Sequence, residues 1–282
     1  MSRPTTITQK QVAAFLKPRP HDSHKGQFGN VAVVGGNTGM IGAAILASRA
    51  ALKTGAGCVH LGLLAPHAPG VDMRQPELMV QDAASALRLP GLDVLAVGCG
   101  MGHDLPAQKI LHDALRHEAT LVLDADALNI LAVRPDLRSQ LLARKTEAVI
   151  TPHPGEAARL LGITTDAVQA DRPAAAQELA RRTGCNVVLK GADSLCVSRD
   201  GKTWLNQTGN PGMSGPGMGD VLTGIIAALI AQGLSTDEAM LLGVHLHGAA
   251  GDALAQQQAS IGMTASEVTE WSRWLLNQWL RK

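Results

Sequence analysis

The sequence predicts a single α/β domain with a mainly parallel central sheet and helices on both faces, for three reasons. Short apolar runs bounded by glycine alternate with helical patterns along most of the 282-residue chain. Runs that are apolar at every position are typical of parallel strands, which helices cover on both sides. No Pro- or Ser-rich linker and no repeat divides the sequence, so residues 1–282 are predicted to form one domain.

The composition favours a globular enzyme-sized domain and argues against several classes of partner. Hydrophobic residues make up 45% of the chain and the formal net charge is +1, with the charges spread throughout. Such a charge pattern predicts no nucleic-acid partner. The N-terminus has no apolar signal segment and no run is long enough to span a bilayer, which predicts a cytoplasmic protein with no membrane partner. The cysteines occur singly and are predicted to be reduced and mostly buried; they are Cys58, Cys99, Cys185 and Cys196.

Apolar runs and turn signals predict the individual elements in order. The parallel strands are expected at 30–34, 58–64, 94–97, 121–123, 148–150 and 187–189. A hairpin follows, with strands at 194–197 and 203–205 around Asp200-Gly201. The last three helices are expected at 221–232, 237–256 and 264–280.

Six glycine-rich or polar segments follow these strands. In open α/β sheets, ligands bind in the crevice beyond the carboxyl ends of the strands. The segments are therefore predicted to line one edge of the sheet and to form the functional site. They are residues 35–42, 98–102, 124–129, 151–156, 190–194 and 209–220.

The segment 209–220 is the most informative because a glycine-rich loop runs directly into an apolar helix. The free N–H groups and the positive dipole end at such a junction favour an anion such as phosphate. Asp220 would stand where a carboxylate takes a proton from a substrate hydroxyl, while the amides of residues 217–219 stabilise a transferring phosphoryl group. The alternative is that Asp220 only caps the helix. The surrounding glycines favour the catalytic interpretation.

The other segments place polar residues at strand ends, and each has a structural alternative. Asp124 and Asp126 follow a buried strand, where they would cap a helix or bind a ligand. His153 and Glu156 lie in a stiff loop after the next strand and would face the crevice. Lys190 ends a strand before a glycine turn, where it would contact phosphate or remain a solvated surface lysine.

Two further patterns favour structural roles. His245 and His247 are two residues apart in a predicted helix and do not share a face, so they are predicted to be structural rather than zinc ligands. The segment 35–42 does not fit the spacing G-x-G-x-x-G, and the following strand lacks an acidic residue at its tip. Redox use of a nicotinamide cofactor is therefore disfavoured.

Taken in order, the segments resemble the ADP- or ATP-dependent NAD(P)H-hydrate dehydratases, a branch of the ribokinase-like superfamily. The similarity runs from about residue 24 to residue 251 and rests on the ordered set, since each motif alone is weak. The resemblance implies the ribokinase-like three-layer sandwich. The matching motifs are 24–29, 35–36 with 42–44, 75–77, 98–102, 124–129, 151–156, 190–193, 209–213 and 217–220.

The resemblance implies a hydro-lyase of metabolite repair that acts on the S-epimer of hydrated NADH or NADPH. ADP would phosphorylate the ring hydroxyl and phosphate would then be eliminated, which restores NADH or NADPH and leaves AMP. Asp220 would activate the hydroxyl, and the amides of Gly217, Met218 and Gly219 would form the anion hole. The alternative is an ATP-dependent alcohol kinase of the same superfamily, of the hydroxymethyl-pyrimidine or thiazole type. A non-catalytic nucleotide-binding regulator would not need Asp220 beside an intact glycine loop.

The resemblance also implies binding residues, a metal ion and partners. Besides Asp220, the hydrate would contact Ala43, Gly102 and His153. The nucleotide would contact Lys190, Gly191, Ala192, Asp193, Ser194 and Gly219. Glu156 and Asp124 would help place Mg²⁺, usually through water. A homotetramer is implied, together with a separate epimerase protein, because about two dozen residues precede the first motif.

The chain departs from the family pattern at three positions. Pro216 and Met218 stand where the family loop usually has a second glycine and a threonine, and Ser194 stands where threonine is common. The backbone amides of residues 217–219 remain, so the anion hole is expected to persist. The missing threonine hydroxyl is expected to affect nucleotide affinity or preference.

Overall fold

The computed structural model describes residues 4–258 and 260–281, and ten strands within them form one sheet. The strands are β1 (Thr5–Thr6), β2 (Asn30–Gly35), β3 (Cys58–Leu63), β4 (Met79–Asp82), β5 (Val94–Val97), β6 (Thr120–Leu123), β7 (Ala148–Ile150), β8 (Asn186–Leu189), β9 (Ser194–Val197) and β10 (Thr203–Asn206). Their order is β1-β10-β9-β8-β7-β6-β5-β2-β3-β4. Only the two pairs made by β9 are antiparallel, so β10 resumes the direction of β8.

Helices cover both faces of the sheet. They are α1 (Gln9–Ala13), α2 (Ile41–Thr54), α3 (Ala83–Leu87), α4 (Leu105–Leu115), α5 (Asp126–Val133), α6 (Pro135–Leu142), α7 (Pro154–Leu161), α8 (Thr165–Ala170), α9 (Arg172–Thr183), α10 (Met218–Ala231), α11 (Thr236–Gln257) and α12 (Ala265–Trp279). Short 3₁₀ turns occur at Lys25–Phe28 and Pro211–Met213.

Alternate residues of each central strand enter two separate cores, which makes the molecule a three-layer sandwich. On β2, Val31 and Val33 pack in the core that contains α2, α10, α11 and α12. Ala32 and Val34 pack in the opposite core, with α3 to α9. All four residues are fully buried. The continuous apolar runs in the sequence therefore have the predicted cause, a parallel sheet covered on both faces.

The predicted strands are all present, each within one residue of its predicted limits. The sequence did not predict β1 and β4, which lie at the two edges of the sheet. β1 consists of two exposed threonines, and β4 is exposed at both of its ends. Helix α10 begins at Met218 rather than at Val221, because Gly217 adopts φ +87° and starts the helix earlier. Three of the four cysteines are buried and all four are free.

Close packing fixes the position of α10 against α2. A Cβ at Gly224 would overlap the backbone oxygen of Ala47 and would lie 3.0 Å from the Cβ of Ala50. Small residues on both helices therefore allow α2 and α10 to approach each other closely. None of the helices in residues 4–258 and 260–281 combines the length and apolar character needed to cross a membrane.

Candidate active site

The six predicted segments all follow the carboxyl ends of strands that run in the same direction. Backbone hydrogen bonds join segments from neighbouring strands. Gly36 N–H donates to the oxygen of Cys99 over 2.9 Å, and Lys190 N–H donates to the oxygen of Pro152 over 2.8 Å. The loop 209–220 follows β10, which runs parallel to β8, so its beginning lies at the same edge. The structure therefore gathers the segments at one edge of the sheet, as the strand order requires.

The glycine-rich loop ends in a helix N-terminus with free amides. Gly217 is the N-cap of α10, and no side chain in residues 4–258 or 260–281 caps the helix. Within the described residues, no acceptor is found for the N–H groups of Gly217, Met218 and Gly219. These three donors and the positive end of the helix dipole are available to an anion in the crevice.

Asp220 lies in the first turn of α10, next to these amides, with its side chain partly buried. Burial raises the pKa of this carboxyl to about 6, although a hydrogen bond from the Cys99 thiol acts in the opposite direction. No backbone N–H of the described chain donates to the carboxylate, so the contacts do not support a capping role. A carboxylate that titrates near neutral pH is suited to act as a general base.

Lys190 and Asp124 form an ion pair beside the glycine loop, in which the lysine is partly exposed and the aspartate is buried. Lys190 Nζ lies 2.6 Å from Asp124 Oδ1, and the Asp124 side chain is 2% exposed. Burial lowers the pKa of Lys190 and is the largest single cause, but the attraction of Asp124 and Glu156 and the hydrogen bond to Asp124 act together in the opposite direction, and the pKa is raised. Lys190 is therefore charged, and neither of its two sequence interpretations mentioned the aspartate that it contacts.

The pair lies directly against the first turn of α10. Thr223 Oγ1 donates to Asp124 Oδ2 over 3.0 Å, so both oxygens of the carboxylate are hydrogen-bonded. A Cβ added to Gly219 would lie 3.1 Å from Lys190 Nζ and 3.3 Å from Asp124 Oδ2. Because Gly219 has no side chain, the ammonium lies next to the free amides, where a phosphate would meet both kinds of donor.

His153 and Glu156 form a capping box at the start of α7. Glu156 Oε2 accepts from the backbone N–H of His153 over 2.8 Å, and His153 Nδ1 accepts from Gly155 N–H over 3.0 Å. Burial raises the pKa of Glu156, which Lys190 opposes from 4.0 Å away. Burial lowers the pKa of His153, whose side chain remains half exposed towards solvent. His153 is thus a neutral imidazole that borders the crevice.

Asp124 and Glu156 are not arranged as direct metal ligands. Across the described residues there is no group of three His, Cys, Asp or Glu side chains that could hold a metal ion. Asp124 is fully engaged by Lys190 and Thr223, and Glu156 is engaged by the cap of α7. These side chains do not fit a metal ion that the protein holds directly. Contact with Mg²⁺ through water, the arrangement that the family resemblance implies, is compatible with them.

Ala43 and Gly102 follow the neighbouring strands β2 and β5. The two segments touch at Gly100, where a Cβ would lie 3.0 Å from the Cβ of Ala43. Gly102 N–H donates to Asp126 Oδ2 over 2.9 Å. Asp126 Oδ1 lies 2.7 Å from His103 Nε2. Asp126 therefore holds the loop that contains Gly102, a predicted hydrate-binding residue. From the sequence, only the position of Asp126 after β6 was evident.

The segment 190–194 turns back into β9 at the rim of the crevice, where Gly191, Ala192 and Asp193 are exposed. Ser194 Oγ donates to the oxygen of Gly191 over 2.9 Å, so its hydroxyl closes the turn. Arg172 Nη2 donates to the backbone oxygens of Leu189 and Asp193 over 3.3 Å each. Arg172 shapes this turn but has no motif that could have marked it in the sequence.

A large cavity of about 1100 Å³ lies away from this site. It is lined by the ends of α2 and α10, including Leu52 and Gln232, and by α12 residues such as Arg273. None of the predicted site residues lines it. The chemistry-bearing residues thus occupy the crevice at the carboxyl edge, and this cavity lies near the opposite edge.

Comparisons with known proteins indicate one family. A family model described as NAD(P)H-hydrate dehydratase matches residues 31–273. An ADP-dependent (S)-NAD(P)H-hydrate dehydratase of Neisseria meningitidis is 43% identical over 268 residues, which cover 93% of this chain and 90% of that protein. A bifunctional NAD(P)H-hydrate repair enzyme of Escherichia coli is 38% identical over 93% of this chain. The chain spans about half the length of this and the other bifunctional relatives.

Comparison with solved structures gives a dehydratase and a kinase of the same fold. An ADP/ATP-dependent NAD(P)H-hydrate dehydratase of Bacillus subtilis, co-crystallised with ATP and Mg²⁺, superposes with a TM-score of 0.86 at 27% identity, covering 99% of this chain and 100% of that one. A hydroxyethylthiazole kinase of Pyrococcus horikoshii superposes with a TM-score of 0.64 at 16% identity and shares the fold alone.

Proposed function

The chain belongs to the NAD(P)H-hydrate dehydratase family, and we propose that it is an ADP-dependent hydro-lyase that converts the S-epimer of hydrated NADH or NADPH back to NADH or NADPH. The products besides the coenzyme are AMP and phosphate. The family membership and the similarity to the Neisseria enzyme over nine-tenths of both chains support this reaction. The crevice supplies the groups that it needs.

In the first step, the Asp220 carboxylate takes the proton of the ring hydroxyl, and the oxygen of that hydroxyl attacks the β-phosphorus of ADP. The bond between that phosphorus and the bridging oxygen breaks, and AMP leaves. In the second step, the carbon–oxygen bond of the phosphate ester breaks, phosphate leaves with the bonding electrons, and a proton is lost from the neighbouring ring carbon. The double bond of the dihydronicotinamide is thereby restored.

The observation that carries the proposal is the position of Asp220 beside the free amides of α10. A general base with a pKa of about 6 lies within one helical turn of three N–H groups without acceptors in the described structure. The base acts on the hydroxyl, and the amides stabilise the charge on the phosphoryl group that is transferred. Removing a single donor from such an anion hole typically costs about 100- to 1000-fold in rate.

For the nucleotide, we propose that its phosphates lie between Lys190 and the amides of Gly217 to Gly219. The support is the 3.1 Å between Lys190 Nζ and the Cβ position of Gly219, which places ammonium and amides together. Arginine and lysine contacts to phosphate are strong because they are charge-assisted. The turn 190–194, held by Arg172, would border the rest of the nucleotide.

Magnesium would arrive with the nucleotide phosphates, since Mg²⁺ retains water and binds substrate phosphates readily. It would supply charge neutralisation. Of the residues on this chain, Glu156 would contact it through water, with Asp124 farther from it because its oxygens are engaged. The Bacillus subtilis dehydratase was co-crystallised with ATP and Mg²⁺, which supports this pairing of nucleotide and metal.

A cytoplasmic location, a homotetramer and a separate epimerase remain predictions that rest on the sequence and its family resemblance. Sedimentation of the purified chain tests the assembly directly. Fractionation of cells tests the location. Addition of an epimerase to a mixture of hydrate epimers tests the partner, since it would raise the convertible fraction of substrate.

The test is recovery of reduced-nicotinamide absorbance after protein, Mg²⁺ and chemically hydrated NADH are mixed with ADP or with ATP. Recovery with ADP, accompanied by AMP and phosphate in equal amounts, supports the proposal. Faster recovery with ATP would reassign the donor. A phosphorylated alcohol formed without recovery of absorbance would instead identify an alcohol kinase, which needs the same aspartate and anion hole.

A further inference from the structure

The carboxyl-terminal half of α11 contacts the glycine-rich loop at several points. The Oγ1 of Thr208 donates to the backbone oxygen of His245 over 3.1 Å. A Cβ at Gly248 would come within 2.6 Å of the backbone carbon of Thr208, and one at Gly251 would overlap the sulfur of Met213. The two glycines therefore allow the helix to approach the loop closely.

One carboxylate on this helix organises the beginning of the loop. Asp252 Oδ2 accepts from the backbone N–H of Gly209 over 2.9 Å. Asp252 Oδ1 accepts from Asn210 Nδ2 over 3.0 Å. The other end of the same amide, Asn210 Oδ1, accepts from Gly212 N–H over 3.0 Å. Asp252 and Asn210 thus form a directional chain in which each donor meets an acceptor.

These hydrogen bonds of Asp252 and Asn210 fix the 3₁₀ turn that leads to the anion hole. Asn210 caps the turn Pro211–Met213, and Ser214 N–H closes it on the oxygen of Pro211 over 3.0 Å. Between Ser214 and α10, the described residues provide no hydrogen-bond acceptor for the amides of Gly215 and Gly217. The direction of these amides therefore depends on the turn on one side and on the helix on the other.

We infer that Asp252 is a positioning residue, which acts through Asn210 to hold the loop 209–217 so that its terminal amides face the transferring phosphoryl group. This inference rests on the proposed function for the identity of that group. The hydrogen-bond geometry of Asp252 is independent of it. Misplacement of a catalytic group by about 1 Å can cost about 100-fold in rate, so a tether of this kind has kinetic consequences.

The test is a reciprocal exchange of the two side chains. Asp252→Asn places an amide N–H₂ opposite that of Asn210, and Asn210→Asp places two carboxylates together. The double variant restores every hydrogen bond: Asn at 252 accepts from Gly209 and donates to Asp at 210, which accepts from Gly212. Each single variant is expected to lower kcat about 10- to 100-fold with little change in nucleotide Kd, and the double variant is expected to lie within about threefold of wild type.

Amide hydrogen exchange of residues 211–219 gives a second readout that needs no turnover. Both single variants are expected to exchange faster in this loop, and the double variant is expected to exchange like wild type. The matched control is Asp237→Asn, which alters another aspartate of α11 that accepts from an asparagine amide, Asn186, over 2.7 Å. It is expected to leave kcat and loop exchange unchanged.

Unchanged kcat and loop exchange in Asp252→Asn would overturn the inference, as would a double variant no better than the worse single one. If Asp252→Asn does not fold, as judged by circular dichroism, Asn210→Ser carries the same test from the loop side. If wild type shows no dehydratase turnover, the proposed function fails, while loop exchange still decides whether Asp252 holds the loop.

Discussion

Lys190 Nζ lies 2.6 Å from Asp124 Oδ1, and both groups lie against Gly219 in the first turn of α10. The pair joins the ends of β8 and β6, which are separated in the sheet by β7. An unpaired carboxylate here would repel nucleotide phosphates. Lys190 therefore has two functions in this account: it neutralises Asp124 and it presents N–H donors to phosphate.

Loss of the Lys190 charge is expected to destabilise the fold. Lys190→Met leaves the Asp124 carboxylate buried with only Thr223 as a partner, which is expected to lower the free energy of unfolding by about 3 to 5 kcal/mol. Chemical denaturation measures this change. The exposed pair Lys202–Asp200, 2.8 Å apart, provides the control. Lys202→Met should cost much less stability than Lys190→Met, because solvent screens an exposed pair. Equal losses in the two variants would show that burial of Asp124 does not make the Lys190 pair more important than a surface pair.

Asp220→Asn is expected to abolish turnover while nucleotide binding is retained. The amide keeps the shape of the carboxylate but cannot accept the hydroxyl proton, so kcat should fall by about 100- to 10,000-fold. Calorimetry should show a nucleotide Kd close to that of wild type. The control is Asp113→Asn, an exposed aspartate on α4. A variant at position 220 with near wild-type kcat would remove the assigned base.

The rate is expected to fall at acid pH with a midpoint near 6. Asp220 has its pKa raised to about 6, and only the deprotonated form can act as the base. Activity should thus rise as pH increases through this value in a profile of kcat/KM. Cys99→Ala removes the thiol donor that lowers this pKa, so its acid limb should move to higher pH. A limb near the ordinary aspartate value of 3.8 would contradict the assignment.

Ionisation of Asp220 is expected to reduce the stability of the folded protein. The pKa of Asp220 is higher in the folded chain than in the unfolded chain, so its ionisation destabilises the fold progressively as pH rises from about 4 to about 6, after which the effect is constant. Asp220→Asn should therefore raise the thermal midpoint more at pH 8 than at pH 4. Equal effects at both values would show that ionisation of Asp220 carries no such cost.

Ala125 is expected to be a site of backbone strain. It has φ +51° and ψ −116°, a conformation that glycine adopts far more easily, between the site residues Asp124 and Asp126. Ala125→Gly should raise the free energy of unfolding by up to about 1 kcal/mol. Ala132→Gly, inside the same helix α5, should lower it by about 1 kcal/mol. Loss of stability in both variants would indicate that Ala125 is not strained.

The sheet could be predicted from the sequence because its central strands are apolar at every position. In β2, every residue after Asn30 is buried, on both faces of the sheet. Burial of both faces is typical of a parallel sheet that helices cover on each side. Strand β4 could not be predicted, since Met79–Asp82 is an edge strand with exposed ends and little hydrophobic pattern. An edge strand has only one neighbouring strand and is less buried, so its sequence is less consistently hydrophobic.

The candidate site could be predicted as a set of segments, but not as a set of contacts. The glycines around Asp220 indicated an anion site because their chemistry is local. The pairing of Lys190 with Asp124 depends on the strand order, which joins residues 66 positions apart. The contact of Asp252 with Gly209 depends on how α11 packs, and a helical pattern alone does not show which residue a carboxylate meets.

The measurement that tests the central claim most directly is turnover of hydrated NADH with ADP, followed by absorbance and by quantification of AMP and phosphate. We expect absorbance to recover only when ADP is present, with one AMP and one phosphate for each NADH formed, and we expect Asp220→Asn to show none of the three. Recovery of NADH without consumption of nucleotide, or nucleotide consumption that leaves a stable phosphate ester, would contradict the proposed reaction.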